Sequence, residues 1–265
     1  METSQHAPRS TIAWLIPSGV DRAVIDVFDM TPPEIRLAVF TNTVAVSMME
    51  ARQFDAVAFD RDQRDVILRS VRDLAQSAHP DFTAVTGDLI QAAMGVRWDM
   101  ALRDAVSEVT GTASTTAMTA VTDALTFLGV RRVAVATPFR DEQNVYVRRY
   151  LEEAGFEVGS LVGHPTHSVR DVRALPPDAP ETTSMKAFEA DRTAQAVFIA
   201  CPVWRVGPFI DPLEQACGVP VLTVLNTFVW RGLTALEHPG NVRGYGHLLQ
   251  NALAQPTKQS AFADA

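Results

Sequence analysis

Both cysteines of this 265-residue chain lie in one stretch, VFIACPVWRVGPFIDPLEQACGVPV, from Val197 to Val221. Cys201 ends an apolar run, and Cys217 precedes Gly-Val-Pro. A thiol at the end of an apolar run is either a small buried hydrophobe or a reactive group that donates a proton or attacks carbon. An ordinary thiol, with a pKa near 8.5, needs modest help to ionise at neutral pH, and backbone N–H groups around a strand-to-helix turn supply such help. Cys217 has no motif partner and reads as structural. No CxxC or Cys/His cluster accompanies either thiol, which suits reduced cysteines in a cytoplasm. The six histidines show no HxxxH or HExxH spacing, so no metal site is expected, and His164 and His167 read as solvated loop residues.

A carboxylate offers the second reactive group. Asp88 ends the stretch VTGD (85–88), which occupies a place in the first half of the chain like that of FIACP (198–202) in the second. Asp88 is read either as a helix N-cap after Gly87 or as a carboxylate that meets a ligand. Ligands of open α/β sheets collect at the carboxyl ends of strands, so both turns are nominated as the walls of one cleft.

The elements that must hold these turns alternate along the chain. Residues 11–17, 35–40, 82–86, 131–137, 156–163, 196–201 and 219–224 read as strands, most of them continuous apolar runs suited to burial on both faces. Residues 62–77, 116–128 and 141–154 carry helical patterns, the last two followed by Gly129 and Gly155 as C-terminal stops. Such alternation predicts a parallel, doubly wound α/β architecture.

Bulk composition agrees with a folded chain: 47% hydrophobic and 20% charged residues. A net charge of −8 without a basic run argues against nucleic-acid binding. No segment is apolar for long enough to span a bilayer, and METSQHAPRS lacks the core of a secretory signal. A cytoplasmic protein, away from membranes, is the expectation.

Longer motifs narrow the reading. TASTTAMTAVTDALTFLGVRRVAVATPFRDEQN (112–144), FIACPVW, CGVPVLTVLNTFVWRGL, RGYGHLL (243–249) and the opening WLIPSG (14–19) resemble the aspartate/glutamate racemase superfamily. Within it they are most similar to the branch of arylmalonate decarboxylase and maleate cis-trans isomerase. Residues 20–60 and 164–190 carry little of the likeness.

The resemblance implies two Rossmann-like lobes with parallel sheets, related by a pseudo-twofold axis, with the active site between them. Residues 1–128 with 229–265 would form one lobe and 129–228 the other. Racemases and maleate isomerases of this kind use one cysteine from each lobe, whereas the decarboxylase keeps only the second. By resemblance Cys201 takes the second-lobe position and Gly87 the first-lobe one, as in the decarboxylase. Pro17, Ser18, Gly87, Leu89, Phe139, Asn144, Pro202 and Val203 are then expected to bind substrate, Asp88 to be a tentative second catalytic group, and no cofactor to be needed.

Departures from that pattern matter. Asp88 and Leu89 stand where the decarboxylase has hydroxyl residues, Phe139 replaces a tyrosine, and Pro202 has no N–H for an oxyanion. Trp204 is divided between core and substrate, and Tyr245 is read as a packing residue. The leading expectation is a cofactor-independent decarboxylase-type lyase acting on a small carboxylic acid, with Cys201 as proton donor to an enediolate. The alternatives are a maleate-type isomerase with Cys201 as nucleophile, an ectoine-utilisation-type catabolic protein, and a small-ligand binder that has lost catalysis. Whether the chain forms a homo-oligomer is left open.

Overall fold

The computed structural model describes residues 10–17, 20–42, 46–50, 54–250 and 252–253. β1 (Thr11–Pro17), α1 (Asp21–Met30), β2 (Arg36–Asn42), α2 (Val46–Glu50), α3 (Ala56–Ala78) and β3 (Phe82–Val85) open the chain. α4 (Asp88–Met94), α5 (Val96–Thr110), β4 (Ala113–Thr116) and α6 (Ala117–Phe127) complete the first sheet and its helices. β5 (Arg132–Thr137), α7 (Asp141–Glu153), β6 (Glu157–Gly163), α8 (Val169–Ala174), α9 (Ala179–Ala190) and β7 (Ala196–Ile199) begin the second unit. α10 (Ile210–Cys217) and β8 (Val221–Thr223) complete the second sheet, and α11 (Val224–Ala235) and α12 (His247–Gln250) follow it.

Two four-stranded parallel sheets result, ordered β2-β1-β3-β4 and β6-β5-β7-β8. The order is the same in both, so the ends of β3 and β7 occupy matching places. β1 shows why its sequence is apolar throughout. Ile12, Trp14 and Ile16 enter the large core shared by both sheets, while Ala13 and Leu15 pack on the other face against α3 and α5.

β4 has no counterpart among the strands expected from sequence. Its residues, Ala-Ser-Thr-Thr, lack the large apolar side chains that mark a strand, yet they pair in register with β3 from Phe82↔Ala113 to Val85↔Thr116. Thr116 then caps α6, its Oγ1 accepting the Thr119 N–H at 3.2 Å. Thr223 does the same for α11, accepting from Asn226 N–H at 3.0 Å. These two matching helices pack against each other, and α11 also reaches α1, β3 and β4. The helix expected at 62–77 extends back to an Asp55 cap, whose Oδ1 accepts from Ala58 N–H at 3.0 Å. β7 stops at Ile199, which leaves Cys201 in the turn beyond the strand.

Candidate active site

The first-lobe turn is braced from beneath. Trp14 Nε1 donates to Thr86 Oγ1 at 3.0 Å, and Gln91 Nε2 donates to the Val85 carbonyl at 3.0 Å. Gln91 Oε1 in turn accepts the Met118 N–H at 3.2 Å. Gly87 has φ 151° and ψ 52°, a conformation that residues with side chains rarely adopt, and so the turn favours glycine here. Gly87 is the N-cap of α4, and Asp88 is its first helical residue.

The second-lobe turn is strained at the thiol itself. Cys201 has φ 79°, in the region that non-glycine residues seldom occupy. Ala200 N–H still bonds the Ala136 carbonyl at 3.0 Å, and Trp204 N–H bonds the Cys201 carbonyl at 3.2 Å. The backbone N–H groups of Val203 and Trp204 face the thiol.

The two turns touch through one bond. Asp88 Oδ2 accepts the backbone N–H of Cys201 at 2.7 Å, and both residues are 5% exposed. Burial pushes the Asp88 carboxyl up to about 6, against the opposing pull of the Cys201, Leu89 and Asp88 N–H groups. Burial also pushes the Cys201 thiol well above its ordinary value, and the charge of Asp88 adds to that rise. The assisting N–H groups expected around the thiol are present, but they are outweighed. Both effects favour the protonated form of the thiol.

A cleft of about 60 Å³ opens over this pair. Pro17, Gly87, Leu89, Phe139, Pro202 and Val203 line it together with Asp88 and Cys201. Ser18 lies outside the described residues. Asn144 does not line the cleft: its Oδ1 accepts from Thr137 Oγ1 at 2.6 Å and its Nδ2 donates to the Phe139 carbonyl at 3.2 Å. Both bonds shape the turn that presents Phe139, so Asn144 acts on the wall from behind. Trp204 lines instead a smaller adjoining cavity, which shares Cys201 and Pro202 with the cleft.

Residues not anticipated from sequence complete the walls. Val20, Met48, Met49, Ile90 and Val169 all face the cleft. α2, which carries the two methionines, is held by the start of α7: Gln143 Nε2 donates to the Met48 and Met49 carbonyls at 3.2 and 3.3 Å, and Arg140 Nη2 donates to Met49 at 3.2 Å. A second carboxylate, Asp26 of α1, secures the far end of the thiol-bearing loop. It accepts from Gly207 N–H at 3.3 Å and pairs with Arg205 at 3.5 Å. Among the described residues, Asp88 is the one charged side chain lining the cleft, and no cluster of His, Cys, Asp and Glu suits a metal ion.

The family model described as arylmalonate decarboxylase matches residues 32–249. The chain belongs to the arylmalonate decarboxylase family. The arylmalonate decarboxylase of Bordetella bronchiseptica is 29% identical over 197 residues, spanning 71% of this chain and 80% of that protein. A solved structure of unliganded arylmalonate decarboxylase superposes with a TM-score of 0.73 at 23% identity, covering 91% of this chain and 98% of that one. Maleate cis-trans isomerase from Nocardia farcinica gives 0.76 at 20% identity, again covering 91% and 98%. At these identities the structural likeness concerns the fold, which is that of two lobes with parallel sheets.

Within the arylmalonate decarboxylase family fold, the turn of Gly87 and Asp88 meets the turn of Cys201 through the bond from the Cys201 N–H to Asp88 Oδ2. Among the described residues of this family member, no helix is long and apolar enough to cross a membrane.

Proposed function

We propose that this protein is a cofactor-independent decarboxylase-type lyase that acts on a small carboxylic acid, with Cys201 as the proton donor. The carbon–carboxylate bond breaks, carbon dioxide leaves, and the electron pair remains as an enediolate on a retained carboxylate. Cys201 Sγ–H then protonates the α-carbon, and the thiolate recovers a proton from water. One observation carries this reading: a buried thiol, kept protonated by burial and by Asp88, stands across from a glycine in an apolar cleft. Apolar walls of Leu89, Ile90, Val203 and Met48 favour loss of a charged carboxylate as a neutral gas. A maleate-type addition would instead require Cys201 as a thiolate, and the same burial works against that form.

The test is turnover of phenylmalonate in D₂O by the wild type and by Cys201→Ala. Release of carbon dioxide with one deuterium in the phenylacetate product, lost at least a hundredfold in the variant, is the expected result. Turnover unaffected by Cys201→Ala would overturn the assignment.

A further inference from the structure

We infer that Asp88 takes up a proton as a carboxylate ligand enters the cleft, and that its carboxyl group then donates a hydrogen bond to the carboxylate the ligand retains. The inference rests on reading the cleft as the site of a small carboxylic acid, and it adds how that acid is held.

The argument begins with the walls. A bound carboxylate needs donors, and burying it without them is costly. Proline, valine, methionine, leucine, isoleucine and phenylalanine side chains make up the rest of the described lining and offer none. Beyond the Val203 and Trp204 backbone N–H groups, which face the thiol, two side chains remain: the Cys201 thiol, whose proton is required for the reaction, and Asp88. As a carboxylate, Asp88 would repel the ligand in a low-dielectric setting; as a carboxylic acid, it becomes a strong donor. Oδ2 accepts the Cys201 N–H at 2.7 Å, and the Leu89 and Asp88 N–H groups also face the carboxyl, so the acid form is reached when burial outweighs these three donors.

Neighbouring charges do not interfere with this exchange. α4 packs against α5, α6 and α7. On α7, Arg149 donates to the Ala93 carbonyl at 2.7 Å, at the opposite end of α4, and pairs with Glu153. On α5, Asp99 is bound by Thr116, Thr119 and Tyr150, and on α6 Asp123 pairs with Arg231 at 3.0 Å. Arg140 bonds the Met49 carbonyl, and its Nη1 lies 3.4 Å from His167 Nδ1. Among the described residues, the one titratable partner across the cleft is Cys201. Burial, rather than any charged side chain, raises the Asp88 carboxyl, which places proton uptake within reach near neutral pH.

Phenylacetate is the probe, because its own carboxyl is fully ionised above pH 6. Titration calorimetry on the full chain, in phosphate and in Tris, reports affinity and the number of protons exchanged. The expected result is uptake of about one proton at pH 8 and a Kd that weakens about tenfold per pH unit between about 6.5 and 8.5. Asp88→Asn, which keeps an acceptor for Cys201 and presents an N–H₂ donor to the cleft, should bind phenylacetate with a Kd independent of pH. A pH-independent wild-type Kd, or an unchanged slope in Asp88→Asn, would overturn the inference while leaving the lyase reading intact. Affinity that improves with rising pH would also overturn it. Turnover lost in Cys201→Ala with no phenylacetate binding at any pH would reject the proton-coupled mode alone. Absence of both binding and turnover would reject the lyase reading and this inference together.

Discussion

Asp88 Oδ2 and the backbone N–H of Cys201 lie 2.7 Å apart, so a side chain of one lobe grips the peptide that carries the thiol of the other. The bond does two things. It helps hold Cys201 at φ 79°, a conformation its own side chain disfavours. It also sets a negative charge beside a thiol that burial already keeps protonated. Position and protonation of the sulfur therefore answer to the same residue.

Alkylation kinetics read the second effect directly. At pH 8, iodoacetamide should label Cys201 slowly, because a thiol raised by burial and by Asp88 holds little thiolate. In Asp88→Asn the labelling of Cys201 should accelerate several-fold, with Cys217 unchanged as the internal control. Equal rates at Cys201 in the two proteins would remove Asp88 from the account.

Stability against pH follows from the same carboxyl, with a definite sign. A folded-state value raised from 3.8 to about 6 means that the unfolded chain loses its proton first as pH rises. Stability from this group is therefore full below about pH 4, declines between about 4 and 6, and levels off above, at a total cost of roughly 3 kcal/mol. Glu214, raised by burial to about 7, adds a decline of the same sign over a window that ends higher. Urea melts should show Asp88→Asn gaining stability over the wild type at pH 8 and matching it near pH 4.

Placing a second thiol opposite the first tests the cleft geometry. A Cβ at Gly87 would meet only Pro17 Cγ at 3.9 Å and Gln91 Nε2 at 4.0 Å, so space exists. The backbone at φ 151° is the obstacle, worth about 1–3 kcal/mol. Gly87→Cys should melt at lower temperature and gain racemising activity on a 2-arylpropionate, followed by chiral chromatography. A folded variant without that gain would count against facing turns.

Tyr150→Phe probes a different link. Tyr150 of α7 donates to Asp99 Oδ2 of α5 at 2.6 Å, joining Thr116 and Thr119 on that one oxygen. Losing the donor should cost about 1–3 kcal/mol in denaturant melts, since the carboxyl is wholly buried. A change within error would show that the two remaining hydroxyls satisfy it.

Apolar strands were the most legible part of this chain, because burial on both faces writes itself as a continuous run, as in TIAWLIP. β4 was not legible: Thr115 and Thr116 bond and cap rather than pack, and hydroxyl residues look like loop. The turns at Gly87 and Cys201 could be nominated from position, but the bond between them joins residues far apart in sequence, and no local pattern encodes it. Asn144 illustrates the converse. The family resemblance implies a substrate contact, whereas Thr137 and the Phe139 carbonyl take up its side chain. Met48 and Met49 were invisible because their place depends on Arg140 and Gln143 reaching across from the second lobe.

The repeated strand order has a consequence for ancestry. Each sheet runs from a central strand to an edge and back across in the same sequence, and Thr116 and Thr223 start matching helices that pack together. A half-length precursor, paired with a second copy of itself, would already have owned this cleft, with two equivalent corners facing each other. In this chain the matching corners are unlike: one is glycine followed by an acid, the other a cysteine followed by proline, so an even frame carries an uneven cleft.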